Sequence, residues 1–367
     1  MHVRRVANTF ELFSIQNIWN DVVGECPLHS WQWLHSWWEA FEENRELFVL
    51  VCETDEHEVV GILPLCLKRR LAGGAVLTFL GSGKACTEYM SVFVKPFFES
   101  EAATAFATWL VDNQRAWDQM DLESTPTHDL TIKQLLAALH EQGAEIGAID
   151  GDTCWRIALP DTHDEYIDSL AKRFRRKLRD AFRKVIETDT YALTTVESED
   201  DLGDAFDRFV DLHIRRRREL GSDHCFQTAK FYDFLSFASK RLLAAGTLDI
   251  ACMEINDEIA SVQFGLKDDH AYYLYQSGMN PKLQQHSPGW TMNCAKIAES
   301  INSGVRYYDL LRGDEPYKRH LGATPVETSH YRIAAPRATS RIRHQLWKTK
   351  QTMRVWRDNL TPTPSER

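Results

Sequence analysis

The residues of this sequence best suited to chemistry are the charged residues that follow a short apolar segment at 307–311. That segment contains one acid, Asp309, among aromatic and aliphatic side chains. The titratable residues that follow it surround a glycine and a proline: Arg312, Asp314, Glu315, Lys318, Arg319 and His320. Arg312 and Lys318 are the residue types that clamp phosphate or carboxylate groups. The same charges can instead form an ion-pair network that only fixes the turn.

These residues belong to the second of two similar series of predicted elements. Each series starts with an amphipathic, aromatic-rich helix, at 30–44 and at 228–246. A hairpin follows in each, at 47–65 and 248–266, because two apolar runs flank an acidic turn. A strand that reaches Ser-Gly, a helix and a strand containing Asp-Leu complete each series: 75–83, 101–114 and 119–126, then 271–278, 289–304 and 306–316.

We therefore interpret the chain as two copies of one α/β unit. The first copy spans 1–150 and the second copy 151–338, followed at 339–367 by a basic helix and a disordered tail. The element order predicts a mixed, mostly antiparallel sheet flanked by helices in each copy. Two basic amphipathic helices, at 164–187 and 340–360, fall outside the repeat. Such helices dock on their own protein or lie on a membrane surface, so peripheral membrane contact stays open.

The charged cluster has a plainer counterpart in the first copy. There the sequence "DLESTPTHDL" keeps Asp-Leu and a proline but lacks the cationic residues. If the charges only shaped the turn, both copies would need them. The comparison therefore predicts one working site, in the second copy.

Composition and charge restrict the class of protein. The chain has 367 residues, 43% of them hydrophobic, and no apolar run approaches the ~20 residues of a membrane span. No signal peptide is recognisable, and the eight scattered cysteines suit buried thiols, so we expect a cytoplasmic location. A net charge of −10 argues against DNA binding. Eight basic residues and one acid between Lys172 and Lys184 indicate a local anionic ligand or a solvated helix face.

Motifs of several common enzyme classes are absent from the sequence. The segment "FLGSGKAC" lacks the first glycine and the Ser/Thr of a phosphate-binding P-loop. The chain has no dinucleotide-binding fingerprint, no serine-hydrolase elbow, and no histidine or cysteine spacing typical of a metal site. We therefore expect no metal and no redox cofactor.

A second candidate site lies at the start of the helix predicted at 289–304. Ser287 suits the N-cap, Pro288 the first helical position, and Gly289 lets a ligand approach the backbone. The N-terminus of a helix has unpaired N–H groups and the positive end of the dipole, which suit phosphate. The alternative is that these residues merely start a helix.

The order of elements and several motifs resemble a known family. The arrangement looks like two GNAT (N-acetyltransferase) folds in tandem. The second copy resembles the BioF2-like/CelD-BcsL acetyltransferases associated with bacterial polysaccharides, through "HSPG", "YYDLLRGDEPYK" and "YYLYQSGMNP". The two-copy arrangement is also similar to the Fem peptidyltransferases, which take amino acids from aminoacyl-tRNA.

This resemblance implies acyl transfer from a thioester, acyl-CoA, to an amine by direct attack. It assigns the phosphate cradle to Ser287, Pro288 and Gly289. It assigns N–H donors for the acyl group to the strand at 261–265, which includes Ser261 and Gln263. The first copy would complete the cleft for the acceptor.

The charged cluster supplies the remaining roles that such a reaction requires. Asp309 or Asp314 is the candidate base for the amine, and Tyr317 or Tyr275 is the candidate acid for the leaving thiolate. Arg312 and Lys318 would bind an anionic group of a substrate. GNAT cradles have two closely spaced glycines, whereas Gly289 stands alone, so an aminoacyl-tRNA donor remains an alternative.

Three functions are therefore under consideration. The first is acylation of an amino sugar or a sugar-linked amine, and the second is Fem-like aminoacyl transfer with tRNA at the basic helix 164–187. The third is a non-catalytic protein that binds a polysaccharide precursor or a partner. For that function the tryptophan-rich segment "WQWLHSWWEAF" would form the binding surface, although such a stripe is more often core.

Overall fold

The computed structural model describes residues 1–70 and 74–360, with side chains up to residue 350; the tail predicted to be disordered, 361–367, lies outside the described residues. The first copy contains these elements: β1 (His2–Val6), α1 (Thr9–Ser14), α2 (Gln16–Val23), α3 (Trp31–Phe41), β2 (Glu46–Leu47), β3 (Val49–Glu53), β4 (Val59–Leu63), β5 (Leu65–Arg70), β6 (Gly74–Phe79), β7 (Phe93–Val94), α4 (Glu99–Asp112), β8 (Gln119–Pro126), α5 (Leu130–Glu141) and β9 (Glu145–Asp150).

The second copy and the C-terminal segment continue the numbering. Their elements are β10 (Cys154–Ala158), α6 (His163–Ser169), α7 (Lys172–Ala181), β11 (Tyr191–Thr195), α8 (Glu199–Glu219), α9 (Ala229–Ala244), β12 (Leu248–Ile255), β13 (Glu258–Lys267), β14 (Ala271–Met279), α10 (Pro288–Asn302), β15 (Tyr307–Arg312), α11 (Pro316–His320), β16 (Thr324–Val326), β17 (Thr328–Ala334) and α12 (Ala338–Leu360).

The sheets confirm the predicted mixed α/β architecture. The second copy has one sheet in the order β11-β12-β13-β14-β15-β10-β16. In the first copy the corresponding strands form two sheets, β1-β3-β4-β7 and β2-β5-β6-β8-β17-β9. The division falls between β4 and β5 at Pro64, because proline has no N–H to donate to a strand ladder.

The repeat is visible in the hydrogen-bonding registers. In the first copy β6 runs parallel to β8 and the pairing ends at Thr78 opposite Asp121. In the second copy β14 runs parallel to β15 and the pairing ends at Tyr273 opposite Asp309. The two Asp-Leu strands seen in the sequence therefore occupy equivalent places in the two copies.

One strand of the second copy belongs to the sheet of the first. Strand β10, at the start of the second copy, lies between β15 and β16 in the sheet of that copy. Strand β17 comes at the end of the second copy, yet it lies between β8 and β9 in the first. The sheet of the first copy thus needs a strand from the end of the second.

The basic helix predicted at 164–187 is interrupted. It consists of α6, α7 and a π-helical turn over Phe182–Ile186. Leu170 is extended, with ψ of 152°, and its side chain enters the core. The Arg175 guanidinium donates to the carbonyl oxygens of Asp168 and Leu170, which satisfies carbonyls freed by the break.

The tryptophan-rich helix α3 belongs to the core. Trp31, Trp33, Trp37 and Trp38 are all buried, and Trp33 contacts Phe234 of α9 edge-on. The aromatic stripe therefore joins the two copies instead of forming an open surface. None of the helices in residues 1–70 and 74–360 is long and apolar enough to cross a membrane.

Candidate functional site

The start of α10 has the geometry expected of an anion-binding helix end. Ser287 occupies the N-cap in a left-handed conformation, with φ of 48°, and its side chain makes no capping hydrogen bond. Pro288 follows at the first helical position. At Gly289 a Cβ would lie 2.2 Å from Sδ of Met279, so glycine allows α10 to approach the end of β14. The first N–H groups of α10 are left without a side-chain cap.

A groove of about 350 Å³ opens at this helix end, and we call it the α10 groove. Its wall includes residues of α10 and its approach, of α7, and of the π-turn: Lys177, Asp180, Lys184, His286, Ser287 and Trp290. Nζ of Lys177 lies 4.3 Å from the centre of the Trp290 ring. Ser287, the first residue of the predicted cradle, and part of the basic run thus meet in one cleft.

Beside this groove, β14 and β15 separate. They pair only over 271–273 and 307–309, although both strands continue for several residues. Alternating side chains point to two different clusters. Leu274 and Leu310 pack with Trp290 on the α10 side, whereas Tyr275 and Leu311 join the core shared with the first copy. The separated strand ends therefore lie between the α10 groove and the first copy.

A loop of the first copy, residues 80–92, covers the opposite side of these strand ends. The hydroxyl of Tyr275 donates to the Ala85 carbonyl at 2.6 Å, and burial raises the pKa of Tyr275. The hydroxyl of Tyr89 donates to Asp309 at 2.9 Å, and Glu88 forms an ion pair with Arg312. This loop explains how the first copy reaches the charged cluster of the second.

Asp309 is fully buried and its carboxylate is saturated. Nε of Arg156 lies 2.7 Å from Oδ2, and the Leu311 N–H donates to Oδ1 at 2.8 Å, in addition to the Tyr89 contact. Burial raises the pKa of Asp309, and the charge of Arg156 opposes this rise. All these contacts hold the strand end in place, and they occupy the lone pairs that a base would use.

Arg312 bridges the two copies. Besides Glu88, it donates to Asp152 at 3.0 Å and to Ser124 at 2.7 Å. Glu88 is 1% exposed, and burial raises its pKa, whereas its contact with Arg312 lowers it. Arg312 also lines a small cavity between the copies, of about 10 Å³, which has room for about one water molecule.

Backbone strain concentrates at this junction. Four non-glycine residues there adopt left-handed conformations: Cys86, Tyr89, Ser124 and Leu311, with φ of 50°, 61°, 57° and 52°. Such conformations cost free energy and cluster at functional sites, where the surrounding structure enforces them. The junction is therefore a second candidate region for substrate, beside the α10 groove.

Asp314 is exposed on the charged turn, whereas Tyr317 packs inward from it. The Asp314 carboxylate is 72% exposed, and Oδ1 accepts a hydrogen bond from Nε1 of Trp155 at 3.2 Å. Tyr317 packs against the same cluster as Trp290, and burial raises the pKa of its hydroxyl.

Lys318 is buried inside the turn. Its Nζ donates to the carbonyl oxygens of Leu311 and Arg312, at 3.1 and 2.6 Å, and lies 3.2 Å from the Glu315 carboxylate. Its side chain is only 2% exposed. For Lys318, these contacts favour the ion-pair network over a direct contact with substrate.

Substitution of Lys318 by alanine is expected to lower the free energy of unfolding by about 2 kcal/mol, because two carbonyls lose a charged donor. Asp314→Ala, at an exposed position of the same turn, is expected to change it by less than about 0.5 kcal/mol. Urea unfolding followed by circular dichroism measures both. An unchanged midpoint for Lys318→Ala would show that Lys318 does not fasten the turn.

Ser261 and Gln263 lie apart from the α10 groove. Both are buried in β13, which pairs with β12 on one edge and with β14 on the other. Ser261 Oγ donates to the Gly278 carbonyl at 3.0 Å, and Gln263 Nε2 donates to Asn293 at 3.3 Å. In the structure they tie β13 to β14 and α10, and their expected role toward an acyl group stays a prediction.

The sequence analysis did not identify Glu88, Tyr89 or Arg156 as site residues, and it did not single out Lys177 within the basic run between Lys172 and Lys184. Glu88 directly precedes the apolar run "YMSVF", and a lone acid at the start of such a run is a signal that was available in the sequence. Arg156 gives no comparable signal, because its partner Asp309 is 153 positions away. Among the described residues, no group of three or more His, Cys, Asp or Glu is arranged to hold a metal ion.

Comparisons with known proteins agree with this architecture. Residues 172–319 match the family model described as an acetyltransferase (GNAT) domain. A comparison with curated protein sequences gives no match.

Three solved structures share the fold over nearly the whole chain. The crystal structure of FemX has a TM-score of 0.62 at 12% identity and covers 90% of this chain and 97% of its own. A conserved protein of unknown function from Bacteroides thetaiotaomicron has a TM-score of 0.59 at 10% identity, over 91% and 100%. The C-terminal domain of a putative lysylphosphatidylglycerol synthetase from Agrobacterium fabrum has a TM-score of 0.55 at 8% identity, over 90% and 94%.

At 8–12% identity, the likeness to these solved structures shows a shared fold only. The family model, in contrast, also describes an activity, that of an acetyltransferase. That model covers α7 through α11, and so includes both walls of the α10 groove and the charged turn. The match identifies residues 172–319 as an acyltransferase domain of the GNAT type.

Proposed function

We propose that the protein is an N-acyltransferase that moves an acyl group, in the simplest case acetyl, from acyl-CoA to an amine. The acceptor is an amino sugar or a precursor of the cell envelope or a polysaccharide, and the reaction takes place in the cytoplasm. The α10 groove, beside the separating strands β14 and β15, is the observation that carries this proposal. A donor whose phosphates lie at Ser287, Pro288 and Gly289 has its thioester directed toward those strand ends.

The proposed reaction is direct attack. The amine nitrogen attacks the thioester carbonyl carbon, the C–N bond forms, and the C–S bond breaks. Tyr317, which packs against the Trp290 cluster, donates a proton to the leaving thiolate, and a carboxylate base accepts the proton that the amine loses. Asp314 is the better placed of the two candidate bases, because its carboxylate is exposed whereas that of Asp309 is saturated.

The proposed division of the chain assigns catalysis to the second copy, 151–338, and the acceptor side to the first copy, 1–150. The first copy offers a poor phosphate cradle, since α4 starts with Glu99 and Glu101 and acids disfavour an anion there. Arg312 at the junction supplies a cation for an anionic acceptor, while Tyr275 supports the strand end from the first-copy side. The segment 339–367 has no assigned role in the reaction.

An aminoacyl-tRNA donor is the second candidate. It is favoured by the exposed basic face of α7, which has six basic residues and one acid in ten positions. Contacts of these side chains with RNA phosphates would make binding strongly dependent on salt. The fold shared with FemX is consistent with this candidate.

Acyl transfer is tested directly by incubating the protein with acetyl-CoA and a panel of amino sugars. We expect free CoA thiol to appear only with an accepted amine, together with a product heavier by one acetyl group. Longer acyl-CoAs and charged tRNA form parallel arms. Transfer only from charged tRNA would replace the first candidate with the second, and no transfer or donor binding in any arm would favour a binding protein.

A further inference from the structure

Helix α7 forms one wall of the α10 groove, although it precedes the rest of the second-copy sheet in sequence. Lys177, Asp180 and Ala181 of α7 line the groove, and their spacing of three and four residues places them on one helical face. Lys184, in the π-helical turn that follows α7, lines the groove as well. The same helix packs Phe174 against His320 of α11, with ring centres 4.0 Å apart. Helix α7 is thus fixed between the groove and the charged turn.

Lys177 is a cation that the fold does not neutralise. Its Nζ lies over the face of Trp290, and no carboxylate lies within 4.0 Å of it among the residues described up to position 350. The one acid of the wall, Asp180, pairs with Arg183 at 2.7 Å and with Lys184 at 3.8 Å. The surplus charge on this wall is therefore positive.

Trp290 supplies an independent sign of a missing ligand. Its side chain is 8% exposed, and its indole Nε1–H has no hydrogen-bond partner in the described structure. Buried polar groups are nearly always paired, so an unpaired donor in a groove wall calls for an acceptor oxygen. The N–H groups at the start of α10, which have no side-chain cap, likewise need acceptor oxygens.

We propose that Lys177 and Lys184 bind phosphate groups of the acyl donor, so that α7 and the π-helical turn after it form the second wall of the donor site, opposite the start of α10. This proposal rests on the proposed function and extends it to residues outside the helix N-terminus. Phosphate oxygens accept hydrogen bonds from ammonium, indole and backbone N–H groups alike, and so match every unpaired donor of the groove. The groove volume of about 350 Å³ suits the pyrophosphate of a CoA thioester.

The test compares Lys177→Gln and Lys184→Gln with Arg176→Gln in the full chain. Arg176 is exposed on the same helix and does not line the groove, so its substitution removes the same charge without touching the site. Calorimetric titration with CoA is expected to show affinity about tenfold weaker in each groove variant and within about twofold of wild type in the control. The dependence of affinity on salt is expected to fall only in the groove variants.

Equal affinity in wild type and both groove variants would overturn the proposal, and so would an equal loss in the Arg176→Gln control. Titration with inorganic pyrophosphate and with a short single-stranded RNA separates this outcome from failure of the proposed function. Pyrophosphate or RNA binding that needs Lys177, without CoA binding, would keep the phosphate wall and reject acyl-CoA as donor. Absence of binding to all three probes would overturn both proposals.

Discussion

Replacing Arg156 with methionine is expected to lower the free energy of unfolding by about 3 kcal/mol. Asp309 is fully buried, and Arg156 provides its only formal positive charge within ion-pair distance among the described residues. Without that charge, a buried carboxylate keeps only the Tyr89 hydroxyl and the Leu311 N–H as partners. Urea unfolding at pH 7, followed by tryptophan fluorescence, measures the loss.

The pH dependence separates this electrostatic effect from a packing defect. Burial raises the pKa of Asp309, and removing Arg156 removes a contact that opposes the rise. A carboxyl whose folded pKa lies above its unfolded value stabilises the fold at low pH, and this contribution is lost as pH rises through the folded pKa. The deficit of Arg156→Met relative to wild type is therefore expected to shrink between pH 7 and pH 5.

An exposed ion pair provides the matched control. Arg4→Met removes the partner of Glu53 at the protein surface and is expected to cost less than about 1 kcal/mol, with no comparable change on acidification. If Arg156→Met has the same small cost, or if its deficit does not depend on pH, then Asp309 does not depend on Arg156 for its charge.

The Arg156–Asp309 pair has a counterpart that holds β17 in the sheet of the first copy. Asp121, the equivalent of Asp309 in the first copy, lies opposite Arg332 in the register of β8 and β17 and accepts two hydrogen bonds from it, at 2.7 and 2.8 Å. In each pair the aspartate lies on an Asp-Leu strand and the arginine on a neighbouring antiparallel strand. The Asp121–Arg332 pair joins strands of different copies, whereas the Arg156–Asp309 pair joins the first strand of the second copy to β15.

The sequence predicted the two equivalent Asp-Leu strands but not the placement of β10 and β17. Asp-Leu at 121 and 309, with the hairpins and helices before them, predicted equivalent strands, and the registers agree. Strands β10 and β17 carry short apolar patterns that fit either sheet. Their placement depends on partners 153 and 211 positions away, and local patterns do not encode such distances.

The charged turn illustrates the same limit. Arg312 and Ser124 each stand three residues after the equivalent aspartates, and they meet each other across the junction at 2.7 Å. A second arginine at position 124 would place two guanidinium groups in contact, and like charges in contact repel. The absence of cationic residues in the first copy therefore has a second explanation besides loss of activity, and the internal comparison alone does not identify catalytic residues.

Replacing Tyr317 with phenylalanine is expected to lower kcat about 100-fold while leaving the free energy of unfolding nearly unchanged. In the proposed reaction its hydroxyl gives the proton that the leaving thiolate needs, and loss of a general acid typically costs a factor of this order. The phenyl ring preserves the packing of Tyr317 against the Trp290 cluster. Steady-state rates with acetyl-CoA and an accepted amine measure kcat, and calorimetry with CoA checks that donor binding persists.

Tyr191→Phe is the matched control for the loss of a hydroxyl. Tyr191 lies on β11, and burial raises its pKa to about 12, but its hydroxyl is not near the charged turn in sequence or sheet order. Its substitution is expected to leave kcat within about twofold of the wild-type value, since the Tyr191 hydroxyl takes no part in proton transfer. If Tyr317→Phe keeps wild-type kcat, the leaving thiolate takes its proton from another group. If both variants lose activity together with stability, the effect belongs to the fold. A loss of kcat in Tyr317→Phe alone, with stability and CoA binding retained, assigns the general acid to Tyr317 on α11.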